Sequence, residues 1–186
     1  MTPRALGLPE AAAILRIDQI DTPVGMLTLV AGPAALLALD FAECRDRLLA
    51  PLLARYPNAA MVEEENPNGY SDRVRAYFGG DVRAIEDIPV EPGGTPFQRT
   101  VWSALRRIAP GTTTTYGLLA QQVGRPGAAR AVGAANARNP ICLVIPCHRL
   151  VSSTGTLIGY SGGLHRKRWF LEHEGVRLPE HAPGVS

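Results

Sequence analysis

The segment Pro146–Arg149, PCHR, places a thiol next to an imidazole and a guanidinium group. A thiol becomes a nucleophile when positive charge, a base or backbone N–H groups favour its thiolate form. The apolar run Ile141–Ile145 just before it predicts a strand-like segment that ends near the cysteine. Cys142, inside that run, is typical of a packing cysteine. The position of Cys147 at the end of the run favours a nucleophile instead.

His148 follows the cysteine directly, which limits how the two groups can interact. Neighbouring side chains of an extended segment point to opposite sides, so a bridging water or a bend would have to connect them. A histidine that acts as a base also needs an acceptor that orients its ring. Glu172 and Glu174, in the FLEHEG segment, are the available carboxylates. The residues therefore predict a cysteine–water–histidine–glutamate relay with either glutamate.

The cysteine and histidine patterns argue against disulfides, metals and cofactors. The chain has three cysteines, Cys44, Cys142 and Cys147, with no CxxC pair, which predicts a reducing, cytoplasmic location. Its four histidines form no zinc-like spacing, so we expect no metal. No cofactor motif is evident, and no apolar run reaches the roughly 18 residues that span a bilayer. We therefore expect neither a cofactor nor a membrane partner.

Charge divides the chain into two halves. Residues 1–94 carry 8 Arg and 14 Asp or Glu, and residues 95–186 carry 11 Lys or Arg and 3 Asp or Glu. A basic half favours a polyanionic partner such as nucleic acid, although a solvated face with skewed charge would look the same. The Pro- and Gly-rich segment Val90–Pro96 coincides with this change. It predicts a supporting domain over residues 1–92 and a second domain over residues 93–186.

The first half predicts a small α/β module. Strand patterns fall at Ile14–Ile20, Gly25–Ala31 and Leu36–Phe41. A helix is expected over Glu43–Tyr56, kinked or delayed by Pro51, and an acidic loop, EEENPNG, follows. A second helix is expected over Tyr70–Phe78, ended by two glycines. This half shows no catalytic constellation, and Cys44 is interpreted as a packing residue.

The second half predicts a series of helices. The first begins at Thr95, where Pro96 suits the first helical position and Gln98 completes a capping box. Its apolar stripe consists of Phe97, Val101, Ala104, Leu105 and Ile108. A threonine-capped helix in TTTTYGLLAQQVG and a helix of small residues in AARAVGAANAR follow, separated by a glycine turn. This spacing is typical of a helix-turn-helix, although many helical hairpins that bind no DNA share it.

Five short motifs together indicate a family. They are RAVG at Arg130–Gly133, RNP at Arg138–Pro140, PCHR at Pro146–Arg149, GYSGG at Gly159–Gly163 and HEG at His173–Gly175. In this order they resemble the O6-alkylguanine-DNA alkyltransferases, also called methylated-DNA–protein-cysteine methyltransferases, of the bacterial constitutive type. The resemblance is dense over residues 97–175 and looser before. It implies a ribonuclease-H-like α/β module, then a mainly α-helical, winged-helix-like domain with a DNA-binding helix-turn-helix that also accepts the alkyl group.

The resemblance also implies catalytic roles. Cys147 would be the alkyl acceptor and His148 the base that acts through water. Glu174 would orient the histidine, which is a choice between the two glutamates that the residues alone leave open. Asn139 would brace the turn that carries the cysteine.

Further roles concern the substrate and the DNA. The residues implied to contact the substrate are Tyr116, Leu150, Tyr160, Ser161 and Lys167. Those implied to contact DNA are Tyr116, Ala129, Arg130, Gly133 and Arg138. Tyr116 would help to turn the nucleotide out of the duplex, and Arg130 would fill the vacated place. The backbone carbonyls of Cys147 and Leu150 would read the guanine amino group, with Ser161 near the O6 atom.

The implied activity is the direct reversal of DNA damage. A monomer would extrude O6-alkylguanine from double-stranded DNA, with O4-alkylthymine as a further candidate, and move the alkyl group irreversibly to its own cysteine. Three alternatives stay open. A non-repairing sensor of alkylated DNA, or another helix-turn-helix protein, would not need Cys147. A cysteine hydrolase would turn over and would not need the basic half, and a transcription factor would usually form a dimer.

Overall fold

The amino-terminal part of the fold is a four-stranded mixed sheet. The computed structural model describes residues 13–178. The strands are β1 (Ile14–Ile20), β2 (Leu27–Ala31), β3 (Leu36–Phe41) and β4 (Ala60–Glu63), in the order β3-β2-β1-β4. Only β4 runs parallel to its neighbour β1. The first three strands were predicted, whereas β4 was not, because its short, mostly exposed sequence shows no apolar alternation.

Six α-helices and a second, two-stranded sheet complete the described part of the chain. The helices are α1 (Arg45–Arg55), α2 (Tyr70–Phe78), α3 (Pro96–Leu105), α4 (Tyr116–Gln122), α5 (Ala129–Ala137) and α6 (Leu164–His173). The small sheet pairs β5 (Thr114–Thr115) with β6 (Leu150–Val151) in parallel. The helix predicted over Glu43–Tyr56 begins as a 3-10 turn, and Pro51 lies inside α1 without ending it. Helix α6 was not predicted. Within residues 13–178, no helix has the length and apolar composition that a membrane crossing needs.

The predicted capping of the helices in the second half is confirmed. Thr95 and Gln98 form the reciprocal capping box of α3, with Pro96 at its first position. Thr115 caps α4 by accepting a hydrogen bond from the Leu118 backbone N–H group. Helices α4 and α5 pack against each other across a glycine-containing turn, so the predicted helix, turn and helix follow in space as in sequence.

The main hydrophobic core contains residues from both halves of the chain. Leu39, Phe41 and Tyr77 of the first half pack in one cluster with Leu105 and Phe170 of the second. A smaller cluster lies between the other face of the sheet and α1. The composition change near residue 94 therefore does not separate two cores, and residues of the first half reach the surroundings of Cys147.

The apolar run Ile141–Ile145 is not a strand, so that prediction is wrong. Backbone bonds join Leu39 of β3 to this region, from its N–H to Pro140 and from the Cys142 N–H to its carbonyl. After this single bridge the chain turns, and Leu143 adopts a φ of 70°, which is uncommon for a residue with a Cβ. An apolar run of this length indicates burial, but it cannot distinguish a strand from a buried turn.

Candidate active site

Cys147 lies at the start of a single 3-10 turn, Cys147–Arg149, and its free thiol is almost completely buried. The extended geometry assumed for its neighbour His148 is therefore wrong. A cavity of about 570 Å³ opens onto the cysteine. Its walls include seven of the residues predicted for the site, namely Tyr116, Ala129, Arg130, Gly133, Cys147, Tyr160 and Ser161. The helix pair and the pocket loop thus meet at the thiol.

Asn139 closes the turn that carries the cysteine. Its side-chain oxygen accepts a hydrogen bond from the Ile141 N–H group at 3.0 Å, and its amide nitrogen donates to the Ile145 carbonyl at 2.8 Å. Both bonds are buried, where an unsatisfied backbone group costs about 1–3 kcal/mol. Asn139 therefore replaces the strand partners that this segment lacks, and it fixes the position at which the 3-10 turn of Cys147 begins.

His148 is fully buried and faces a glutamate. Its Nε2 atom lies 2.9 Å from Oε1 of Glu174. Because an ionised carboxylate only accepts, Nε2 carries the proton and Nδ1 is left as the basic nitrogen. Nδ1 has no hydrogen-bond partner among residues 13–178. Glu172, the alternative acceptor, instead pairs with Arg168 at 3.1 Å on the surface.

Two further donors hold the Glu174 carboxylate, and neither was predicted. Buried Arg149 donates from Nε to Oε2 at 2.9 Å and from a terminal nitrogen to Oε1 at 2.8 Å. The Tyr77 hydroxyl donates to Oε1 at 3.0 Å. The position of Arg149 beside the cysteine was a usable signal, whereas nothing in the sequence connects Tyr77 to the site. Burial alone would raise the pKa of Glu174, but the hydrogen bonds and charges of His148 and Arg149 outweigh it and hold the pKa well below its usual value.

The thiol and the imidazole are both neutral at rest. Burial raises the pKa of Cys147, although a hydrogen bond with Asn139 and the charge of Lys167 act in the opposite direction. Burial also lowers the pKa of His148, against the effect of Glu174. A protonated thiol therefore lies near a neutral base, and a proton must leave Cys147 before its sulfur can attack. No hydrogen bond joins the two side chains directly among the described residues.

Lys167 and Leu150 lie behind the cavity and do not line it. The ammonium group of Lys167 is buried and donates to the Ile158 carbonyl in the pocket loop at 2.7 Å. Burial lowers the pKa of Lys167 to about 8. Leu150 is buried in β6, directly after the 3-10 turn. The lysine thus supports the loop that carries Tyr160 and Ser161.

Helix α5 presents its small residues to the cavity. A Cβ atom on Gly133 would lie 3.7 Å from the ring of Tyr116, so the two helices approach closely here. Arg130 is exposed at the cavity wall. Arg138, the last residue of the predicted DNA-binding set, lines a separate cavity of about 330 Å³ near Trp102 and Asp40. Arg138 therefore lies apart from the other predicted DNA-binding residues, which line the cavity at Cys147.

Residues that sequence reasoning missed also line the cavity. Arg47 comes from α1 in the first half and pairs with buried Asp40. Asn136 comes from the inner face of α5 and is buried. Among residues 13–178 no cluster of three His, Cys, Asp or Glu could hold a metal ion. The arrangement can position a flat apolar group against a thiol and remove the proton of that thiol.

Comparison with known proteins shows that this chain is similar to one protein family. A family model described as "6-O-methylguanine DNA methyltransferase, DNA binding domain" matches residues 96–176. The chain is 48% identical to the methylated-DNA–protein-cysteine methyltransferase of Salmonella typhimurium over 87% of its own length and 96% of that protein. It is 40% identical to the methylated-DNA–protein-cysteine methyltransferase of Mycobacterium tuberculosis, over 86% of its own length and 92% of that protein.

Solved structures agree. The crystal structure of Mycobacterium tuberculosis OGT in complex with DNA is similar with a TM-score of 0.72 and 38% identity, covering 87% of this chain and 92% of that one. The O6-methylguanine-DNA methyltransferase of Pyrococcus kodakaraensis gives a TM-score of 0.65 and 28% identity, covering 87% and 99%. The α/β fold with its mixed sheet and helices is thus shared by solved relatives.

Proposed function

The chain belongs to the family of methylated-DNA–protein-cysteine methyltransferases, and we propose that it repairs O6-alkylguanine in double-stranded DNA by moving the alkyl group to Cys147. The observation that carries this function is the placement of a buried thiol at the end of a cavity between a helix pair and a glycine-rich loop. The hydrogen-bonded pair of His148 and Glu174 lies behind the thiol. Such a site suits a thiol that stays protonated at rest and loses its proton only when a substrate is bound.

The transfer follows from the charges of the site. The Cys147 proton passes through a water to Nδ1 of His148, and Glu174 stabilises the imidazolium that forms. The sulfur then attacks the alkyl carbon in line, so that an S–C bond forms as the bond from carbon to guanine O6 breaks. Guanine leaves as an anion whose charge is stabilised by donors such as Ser161 and Tyr116. The thioether product is stable, so each molecule acts once.

Access to the lesion requires the nucleotide to leave the stack. Extruding a base costs a few kcal/mol, and least for a damaged, poorly paired one. Arg130 enters the vacated place, which offsets part of this cost, and Tyr116 helps to turn the nucleotide out and contacts the base. Ala129 and Gly133 allow α5 to approach the groove, and Arg138 contacts the backbone. The affinity comes mainly from phosphate contacts of the basic half and has little sequence preference.

The flipped base is held by the pocket loop and by backbone groups. Tyr160 and Ser161 form one wall, Lys167 supports the loop, and the carbonyl of Cys147 accepts from the guanine amino group. The same in-line chemistry would extend to O4-alkylthymine. We assign a ribonuclease-H-like module to residues 1–92 and a winged-helix-like domain to residues 93–186. The free cysteines favour a reducing cytoplasm, and the protein acts as a monomer.

The test is intact-mass analysis after mixing with a duplex that carries one O6-methylguanine, beside the Cys147→Ala variant. We expect a gain of one methyl group, located in the peptide that contains Cys147 and absent from the variant. Binding without any change in mass would instead favour a sensor that does not repair. Neither binding nor transfer would contradict the proposed function.

A further inference from the structure

The first half of the chain contributes a side chain to the proposed relay. Tyr77 is the next-to-last residue of α2 and is fully buried. Its hydroxyl donates a hydrogen bond to Oε1 of Glu174 at 3.0 Å. The two residues lie 97 positions apart. The same oxygen faces Nε2 of His148 at 2.9 Å. One carboxylate oxygen thus connects a tyrosine of the supporting half with the proposed base.

The ring of Tyr77 is held independently of its hydroxyl group. It packs against Phe170 with ring centroids 6.4 Å apart and against Phe78 at 5.4 Å. It also contacts the ring of His173 at 5.1 Å, and Nε2 of His173 bonds to the Tyr77 carbonyl at 2.7 Å. Replacing the hydroxyl with hydrogen should therefore leave the ring in place and remove only the bond to Glu174.

The hydroxyl is a permanent donor. Burial and then the charge of Glu174 raise the pKa of Tyr77 far above its usual value, so the group stays protonated. The other groups that face the histidine–glutamate pair are Arg149, which donates to both carboxylate oxygens, and Lys167, whose charge also acts on His148. Both are cations, and both lower the pKa of the imidazole.

We propose that Tyr77 is a positioning residue for alkyl transfer, which fixes the Glu174 carboxylate and, through their shared Oε1 atom, sets the basicity of His148. This inference rests on the relay of the proposed function. It gives the first half of the chain a part in the chemistry in addition to support.

The direction of the effect follows from the bonds. Each donor to Oε1 spreads the negative charge of Glu174, so less of that charge is available to stabilise a protonated His148. Without the tyrosine hydroxyl the imidazolium becomes more stable, and the pKa of His148 rises. Because the base acts in its neutral form, the acid limb of the pH–rate profile then moves to higher pH. We expect a shift of about half to one pH unit, because a change of one pKa unit corresponds to a modest difference in interaction free energy between the protonated and the neutral form of His148.

The experiment compares Tyr77→Phe with Tyr70→Phe. Tyr70 begins the same helix and is buried too, but its hydroxyl donates at 3.3 Å to the Ala34 carbonyl, away from Glu174. The single-turnover rate of methyl transfer from saturating O6-methylguanine duplex is measured from below to well above the ordinary histidine pKa of about 6.5. Thermal unfolding of each variant is recorded alongside.

An acid limb displaced to higher pH in Tyr77→Phe, but unmoved in Tyr70→Phe, would support the inference. A Tyr77→Phe profile that coincides with the wild type would overturn it. A fall in rate by one factor at every pH would overturn it as well, because that result indicates a structural role alone. Wild-type protein that transfers no methyl group at all would instead refute the proposed function, so the two failures are distinguishable.

Discussion

Replacing Glu174 with glutamine removes one negative charge from a fully buried site with almost no change in shape. The side chains of Glu174 and His148 are both 0% exposed, and Arg149 is 4% exposed. The variant leaves the arginine charge buried without its partner. Breaking a buried ion pair from one side destabilises a protein by about 3–5 kcal/mol. For a chain of this size we expect the melting temperature to fall by about 10 °C, because each kcal/mol shifts it by about 2–4 °C.

Glu172→Gln is the matched control. It makes the same chemical change two residues away, at a side chain that is 52% exposed and pairs with Arg168 in an i, i+4 arrangement. Such a surface pair contributes only about 0.3–0.5 kcal/mol. The control should therefore unfold close to the wild type in urea or thermal denaturation. It should also transfer methyl groups at the wild-type rate.

The pH dependence of the difference provides a second check. The pKa of Glu174 is depressed in the folded protein, so its contribution to stability is fully present above the unfolded value of about 4.3. It is lost as the pH falls below that value toward the folded pKa. The stability gap between wild type and Glu174→Gln should therefore narrow in acid. If both glutamine variants were equally stable at neutral pH, the buried ion pair would not have the role assigned to it.

Three further predictions concern activity. Arg130→Ala should slow methyl transfer from duplex DNA about tenfold or more but leave transfer from free O6-benzylguanine unchanged, since only the duplex needs a filled gap; equal losses in both rate assays would contradict this. Gly162→Ala should slow transfer from both substrates and lower the melting temperature, because its Cβ would lie 2.7 Å from Phe41. Gly117→Ala should be well folded, because its Cβ would lie 4.0 Å from the nearest atom outside its chain neighbours and its own helix backbone. The wild-type rate should rise with pH through a midpoint below about 6.5, because burial lowers the pKa of His148, and a midpoint above it in the single-turnover profile would be inconsistent with a buried neutral base.

The sequence predicted those elements whose signals are local. The capping box at Thr95 and the strand β1 depend on neighbouring residues, and both are present as predicted. The short motifs also indicated Arg130, Cys147 and Ser161, and all three line one cavity. Strand β4 and helix α6 were missed, since neither has an apolar pattern strong enough to stand out.

Contacts between distant segments could not be predicted in the same way. Tyr77 has the helical spacing of a core residue, and only the packing of α2 against α6 brings its hydroxyl to Glu174. Arg47 is likewise an ordinary charged residue of α1 until the fold places it at the cavity. Apolar residues that recur at helical spacing identify the buried face of a helix. It does not identify which polar atom that face will meet.

The resting state of the thiol fits a protein that can act only once. A thiolate exposed to solvent would react with oxidants and free electrophiles, and each such reaction would consume the single acceptor. Here burial keeps Cys147 protonated, and Asn139 and Lys167 only partly oppose that effect. In the proposed mechanism the neutral His148, whose Nδ1 atom has no hydrogen-bond partner among residues 13–178, accepts the proton when a substrate fills the cavity. Burial of Cys147 therefore protects the acceptor, and the proposed relay of His148 and Glu174 would restore the reactivity that burial removes.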